Sequence, residues 1–120
     1  MGLSFWSLAM AAGILATSTA HGAEYLVTIK TDITFAEHDG VKLVGDLYQP
    51  KGLDKAPMLV AVHGGGWQGG NRKFYTNWGP YLARNGYAVF SIEYRLMKPG
   101  VKTYPGAVYD TKAAVQYVRA

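Results

Sequence analysis

The stretch "HGGGWQGG" at residues 63–70 places five glycines among three other residues, directly after the short apolar run MLVAV. Glycine loses more conformational freedom on folding than any other residue, so such a run needs a physical reason. Without side chains, a loop at the end of a strand can bring its backbone N–H groups close to a ligand. Three kinds of site use amides in this way: a phosphate cradle, a dinucleotide-binding turn and an oxyanion hole.

The residues that end the loop exclude the phosphate cradle. A P-loop has two glycines separated by four residues, and a lysine and a hydroxyl residue follow the second glycine to reach the phosphates and magnesium. Gly64 and Gly69 have this spacing, but Gly70 and Asn71 stand where the lysine and the hydroxyl residue are required.

A dinucleotide-binding turn matches the glycine spacing better. Gly64, Gly66 and Gly69 fit the pattern G-x-G-x-x-G, and Glu93 ends the next predicted strand, near the place of a ribose-binding acid. However, Gly69 belongs to a turn-forming Gly-Gly-Asn sequence and not to an opening helix. A predicted hairpin also precedes the motif, whereas a dinucleotide fold usually opens with it. A Rossmann-type dinucleotide-binding fragment therefore stays as an alternative.

An oxyanion hole accounts for more of the loop. During acyl transfer the carbonyl oxygen becomes an anion, and backbone N–H groups aimed at that oxygen stabilise the transition state. Two amides can converge on one point only if the loop adopts unusual φ and ψ angles and no Cβ blocks the substrate. Consecutive glycines at the end of a central strand meet both requirements.

The flanking sequence predicts an α/β fold with the order β-β-β-α-β-α. Residues 25–35 and 41–48 are rich in strand-forming types and flank an Asp-Gly turn, which predicts an antiparallel hairpin. Residues 58–62 and 87–92 are short apolar runs typical of strands buried on both faces. Helices are expected before Asn85 and after Pro105, so the second half alternates strand and helix around a parallel sheet.

Each predicted helix has a set of larger side chains at helical spacing. In the first helix these residues are Trp78, Tyr81 and Leu82. In the second they are Val108, Thr111, Val115 and Val118. Residues at such spacings share one face of a helix, so these sets are expected to pack against the sheet.

Three motifs resemble, in this order, the N-terminal half of α/β-hydrolase esterases. They are "HGGGW" at 63–67, "EYRL" at 93–96 and "YPGAVYDTKAAVQYVR" at 104–119. The chain is most similar to the hormone-sensitive-lipase-like and the feruloyl- or acetyl-esterase-like carboxylesterases, over about residues 25–120. The resemblance implies the N-terminal part of an α/β-hydrolase sheet: an antiparallel hairpin, then parallel β-α units.

The resemblance also implies a role for each residue of the glycine loop. Gly65 and Gly66 correspond to the residues whose N–H groups form the oxyanion hole, and Gly64 corresponds to the residue that makes the turn. His63 corresponds to a histidine that positions the loop and is not the catalytic base. Trp67 would shape the acyl or leaving-group pocket, with burial in the core as the alternative.

The resemblance implies that Arg95 and Asp110 have a structural role. They would form an ion pair that joins the loop after a strand to the last helix. The alternative for Asp110 is a solvated carboxylate on the helix surface.

The nucleophile, acid and base of a catalytic triad are absent from the sequence pattern. The α/β-hydrolase nucleophile lies in a G-x-S-x-G turn, with the acid and histidine later in the chain. The serines are Ser4, Ser7, Ser18 and Ser91, and none has this context. We therefore expect a fragment of a carboxylic-ester hydrolase that ends before the nucleophile turn and is inactive alone. A non-catalytic binding domain on the same scaffold is a further alternative.

Composition limits the ligands. The net charge is +4, but the basic residues are scattered, which argues against a nucleic-acid site. The chain has no cysteine, and its three histidines lack metal-ligand spacing. We expect a small-molecule ester as the substrate of the full-length protein, with no metal and no cofactor.

The first 23 residues differ from the rest. They contain no charged side chain, and an apolar segment is followed by small residues, which is typical of a secretory signal peptide. The segment is too short for a stable membrane span. No Lys or Arg precedes Lys30, so the usual positive start is missing. We expect residues 24–120, the N-terminal half of an α/β-hydrolase domain, to be secreted or periplasmic.

Overall fold

A computed structural model describes residues 24–120. The predicted signal peptide, residues 1–23, lies outside the described residues. The elements in chain order are β1 (Val27–His38), β2 (Val41–Pro50), β3 (Met58–Val62), a 3₁₀ helix (Arg72–Tyr75), α1 (Trp78–Arg84), β4 (Ala88–Ile92) and α2 (Gly106–Arg119). Among these elements, no helix has the length and apolar character that crossing a membrane requires.

The strands form one mixed sheet in the order β1-β2-β4-β3. The predicted hairpin is confirmed: β1 and β2 are antiparallel and turn at Asp39 and Gly40, both with positive φ. β2 is also antiparallel to β4, whereas β3 and β4 are parallel, with Val60 opposite Phe90. The loops after β3 and β4 therefore leave the sheet at the same end, the carboxyl end of these two parallel strands. This brings residues 63–71 beside residues 93–105.

The two helices cover opposite faces of the sheet. Successive residues of a strand point to opposite faces. On β4, Val89 packs with Ala83 of α1, whereas Phe90 packs with Ala114 of α2. β4 is buried along its whole length, as its apolar sequence predicts. It is the centre of both halves of the core.

β3 differs from its sequence-based expectation. Its apolar run predicts burial on both faces, but Met58 and Leu59 are 37% and 40% exposed. The described sheet pairs β3 with β4 on one side only, so β3 forms an edge of that sheet. The strand and its bounds were predicted correctly, but its predicted burial on both faces was wrong for the described residues.

The helix faces were predicted only in part. In α1, Leu82 packs against the core as expected, but Trp78 and Tyr81 are exposed. The fully buried residues of α1 are Gly79 and Ala83. The reason is close approach: a Cβ on Gly79 would lie 2.5 Å from the ring of Tyr48. At this point of contact the helix therefore needs a residue without a side chain.

In α2, too, small residues occupy buried positions where larger ones were predicted. The buried positions are Ala107, Asp110 and Ala114, and Val108 is 51% exposed. Val118 is half-buried against the cluster that contains Phe90. The predicted face of α2 is therefore only partly buried, and the fully buried positions include a carboxylate.

Candidate active site

The loop after β3 has a backbone that favours glycine. Gly65 has φ +133°, Gly66 +60° and Trp67 +66°. Residues 64–66 are exposed, so solvent or a substrate can reach their backbone. Among residues 24–120, neither the N–H of Gly65 nor that of Gly66 donates a hydrogen bond. These amides are accessible donors at the end of a parallel strand.

The loop folds back on itself through contacts that a side chain would break. The carbonyl of Gly65 accepts hydrogen bonds from the N–H groups of Gln68 and Gly69, at 3.2 and 3.1 Å. A Cβ on Gly65 would lie 2.2 Å from the carbonyl oxygen of Gly69. A Cβ on Gly70 would lie 2.3 Å from the carbonyl oxygen of Gly64. Glycine is therefore required twice to close this turn, beyond any role of the amides.

His63 is buried beneath the loop. Its side chain is 3% exposed, and Nδ1 donates to the carbonyl of Gly64 at 2.8 Å. The ring stacks on Tyr94, with centroids 4.5 Å apart, and the Tyr94 hydroxyl donates to the His63 carbonyl at 2.8 Å. Burial raises the pKa of the Tyr94 phenol, which keeps that hydroxyl a donor. His63 thus contacts the loop backbone, and Tyr94 is a supporting residue that sequence reasoning missed.

Arg72 fixes the far end of the loop. Its Nε donates to Asp46 at 2.9 Å, and its two terminal nitrogens contact Glu93 and Asp32. Its carbonyl accepts a hydrogen bond from the fully buried Ser91 hydroxyl at 2.7 Å. Burial alone would lower the pKa of Arg72, but the carboxylates of Asp46 and Glu93 outweigh it and raise that pKa. The segment after the glycines is therefore held to β1, β2 and β4.

A second ion cluster holds the loop after β4. Asp110 is fully buried on α2, and it accepts hydrogen bonds from the Arg95 backbone N–H and from Arg95 Nε and Nη2 at 2.9–3.0 Å. His38 Nδ1 lies 2.8 Å from the same carboxylate, and Arg95 also contacts Asp39. Burial opposes the charged form of Asp110, yet the donors from Arg95 and His38 hold its pKa below the usual value. The solvated alternative for Asp110 is wrong, because the carboxylate is enclosed.

Trp67 is 55% exposed, so its burial in the core is wrong for the described residues. Its ring contacts Tyr94 edge-on at a centroid distance of 5.8 Å. Its carbonyl accepts a hydrogen bond from the Met97 N–H at 2.7 Å, which joins the loops after β3 and β4. The indole therefore lies at the surface beside the exposed amides.

Two groups that could suggest other chemistry are engaged elsewhere. Ser91 is fully buried in β4, and its hydroxyl is bonded to the Arg72 carbonyl, so it is not placed as a nucleophile. Glu93, the acid of the dinucleotide alternative, contacts Arg72. Gly69 and Gly70 are followed by a 3₁₀ helix of four residues and not by the long helix of a dinucleotide site. Among residues 24–120, no cluster of His, Asp and Glu could hold a metal ion.

Comparison with family models decides the relationship. The model of the BD-FAE family matches residues 45–120, which include the glycine loop, the Arg95 segment and α2. The chain belongs to the BD-FAE family. The match begins within β2, so the family-defining part contains every residue of the candidate site except those on β1 and its turn.

Solved structures of esterases have the same fold. A bacterial heroin esterase aligns with a TM-score of 0.66 and 29% identity over 77% of this chain. Esterase B from Lactobacillus rhamnosis aligns at 0.64 with 32% identity over 77%. Esterase 2 from Thermogutta terrifontis aligns at 0.66 with 28% identity over 78%. These neighbours are α/β-hydrolase carboxylesterases, and the chain matches their N-terminal portion, so the predicted fold and family are confirmed.

The chain spans only part of its relatives. It covers 29%, 30% and 35% of the three esterase chains. Among curated proteins it is 33% identical, over 99 residues, to a non-reducing polyketide synthase from Aspergillus novofumigatus, covering 78% of this chain and 4% of that enzyme. A 5-methylorsellinic acid synthase from Aspergillus terreus is 35% identical with the same coverage. These relatives give no support to the dinucleotide-binding alternative.

Proposed function

We propose that this chain supplies the oxyanion-hole portion of a serine carboxylesterase. In this proposal the Gly65 and Gly66 amides bind the oxygen of the tetrahedral intermediate, and the serine that attacks the ester lies beyond residue 120. The observation that carries the proposal is the pair of exposed amides without an acceptor, in a loop closed by glycine-only contacts. The esterase neighbours give independent support.

The proposed reaction follows from donors placed in this way. The serine hydroxyl gives its proton to a general base, which also lies beyond residue 120, and Oγ attacks the carbonyl carbon. The carbonyl oxygen takes the negative charge between the two amides. When the intermediate collapses, the bond to the alcohol breaks and the base returns the proton to the leaving alcohol. Water, activated by the same base, then hydrolyses the acyl-enzyme to release the acid and restore the serine. Fixed donors of this type need no reorganisation during the reaction, and each is worth about 10²–10³-fold in rate.

The surrounding residues contribute rigidity in this account. His63 and Tyr94 support the loop from below, and Arg72 ties its far end to three strands. A catalytic geometry misplaced by about 1 Å can lose about 10²-fold in rate, so this support bears directly on activity. Trp67 would line the part of the substrate site next to the ester.

Covalent labelling tests the proposal. Esterase 2 from Thermogutta terrifontis has been solved phosphorylated by paraoxon. We expect the complete protein to hydrolyse p-nitrophenyl acetate and to lose that activity as intact mass spectrometry records one diethylphosphoryl group per chain. The isolated residues 24–120 should gain no such group and hydrolyse no ester above background. A complete protein that neither reacts with paraoxon nor cleaves the ester would favour a non-catalytic binding domain.

A further inference from the structure

Two neighbouring cavities lie at the end of the sheet where the glycine loop follows β3. The smaller, of about 230 Å³, is lined by Trp67, Thr103, Tyr104, Ala107 and Val108. The larger, of about 710 Å³, lies between the β1–β2 turn, the loop after β4 and the start of α2. Thr103 and Tyr104 line both cavities. The two cavities are therefore neighbours, and the term trough denotes both together. Its near end is the smaller cavity, which is lined by Trp67, the residue directly after Gly66.

The near end of the trough is apolar. Trp67, Tyr104 and Val108 are 55%, 77% and 51% exposed, so each presents apolar surface that a ligand could cover. Removing such surface from water is favourable in proportion to its area, by roughly 25 cal/mol per Å². This part of the trough suits an alkyl or aryl group directly next to the ester.

The far end of the trough is positively charged. Its lining includes Arg95, Lys98 and Lys102 but a single carboxylate, Asp39. Arg95 is already paired with Asp110 and Asp39. Among residues 24–120, neither Lys98 nor Lys102 forms an ion pair, and both are exposed. Two lysines therefore line this cavity without an ion-pair partner among the described residues.

We propose that this trough binds an ester substrate with a carboxylate group on the far side of an apolar spacer from the ester bond. The spacer lies against Trp67 and Tyr104, and the carboxylate lies between Lys98 and Lys102. This inference rests on the proposed esterase function and adds the chemical class of the substrate. It makes the two lysines specificity-determining residues.

A binding experiment tests this assignment without requiring turnover. The probes are 4-phenylbutyrate and its neutral counterpart 4-phenylbutanamide, and isothermal titration calorimetry on the complete protein gives both dissociation constants. We expect the acid to bind roughly three- to tenfold more tightly than the amide, the size expected for two exposed charge pairs. The difference should shrink as salt is raised from low to physiological concentration.

Variants assign the effect to the lysines. Lys98→Gln combined with Lys102→Gln should abolish the preference for the acid and leave amide binding unchanged. Lys112→Gln is the matched control, because Lys112 is exposed on α2 and lines neither cavity. Equal affinity of the parent for both probes, or equal effects of the double variant and the control, would overturn the assignment. Preserved acid binding in a protein that cleaves no ester would refute the esterase proposal alone.

Discussion

Substitution of Gly65 by alanine tests the glycine loop most sharply. The new Cβ would lie 2.2 Å from the carbonyl oxygen of Gly69 and 3.1 Å from the N–H nitrogen of Gly70. Both are backbone atoms, so no side chain can rotate away. The turn must open by at least 0.8 Å before the closest contact reaches 3.0 Å, the lower limit for real Cβ atoms.

The size of the effect follows from this displacement. A misplacement of about 1 Å costs about 10²-fold in rate, and loss of one oxyanion donor costs about 10²–10³-fold. In the complete protein, Gly65→Ala should therefore lower kcat for p-nitrophenyl acetate by about 10²-fold or more. KM should change little, because these donors are expected to act mainly on the transition state.

Gly52→Ala is the matched control. Gly52 also has a positive φ, +82°, but nothing lies within 4 Å of its Cβ position, and it belongs to the loop between β2 and β3. Gly52→Ala carries a left-handed backbone penalty of roughly 1–2 kcal/mol. Gly65→Ala carries a backbone penalty on the order of 1–3 kcal/mol, because φ +133° is sparsely populated by residues with a side chain. Only Gly65→Ala also moves the loop. Thermal unfolding of both variants separates stability from catalysis. If a folded Gly65→Ala protein keeps kcat within threefold of Gly52→Ala, the oxyanion assignment is wrong.

Three further predictions concern the supports and the N-terminal segment. Asp110→Asn should lower the free energy of unfolding at pH 7 by about 3 kcal/mol, because Arg95 loses its buried partner. The pKa of Asp110 is lowered in the folded state. Its contribution to the free energy of unfolding is therefore complete above the pKa of the unfolded chain, about 3.9, and is lost as the pH falls through the pKa of the folded state. In urea titrations, the difference in the free energy of unfolding between parent and variant should therefore become smaller below about pH 4. A difference that does not change with pH would contradict this prediction. Ser91→Ala should cost about 1–3 kcal/mol, because the Arg72 carbonyl loses its donor in a buried site; an unchanged urea midpoint would refute this. N-terminal sequencing of the exported protein should show residues 1 to about 20 removed, and intact Met1 in the cytoplasm would argue against a signal peptide.

The strands were predictable because their signals are local. Residues 58–62 form a continuous apolar run between polar and glycine-rich segments, and β3 has those bounds. The Asp39-Gly40 turn similarly predicts the hairpin, because both positions need positive φ. Where one short segment determines the structure, sequence reasoning succeeded.

The helix faces were not predictable from side-chain size. Packing of α1 depends on the distance between its backbone and the ring of Tyr48, which only the folded sheet defines. Gly79 and Ala83 therefore replace the expected Trp78 and Tyr81. A hydrophobic pattern indicates which side chains gain from burial, but close approach between elements selects the smallest ones.

The Arg72 cluster was missed for a different reason. Asp32 lies on β1, Asp46 lies on β2 and Glu93 directly follows β4, and no spacing in the sequence relates these three partners. The Arg95–Asp110 pair was anticipated only through the resemblance to known esterases. Contacts between residues far apart in sequence depend on sheet order, which local patterns do not contain.

The most direct test of the central claim is a crystal structure of the complete protein after reaction with paraoxon. The phosphoryl oxygen of the adduct occupies the position of the oxyanion in ester hydrolysis. We predict that this oxygen lies about 2.7–3.1 Å from the amide nitrogens of Gly65 and Gly66. An adduct whose phosphoryl oxygen is bound by other groups, with both glycine amides facing solvent, would contradict the account.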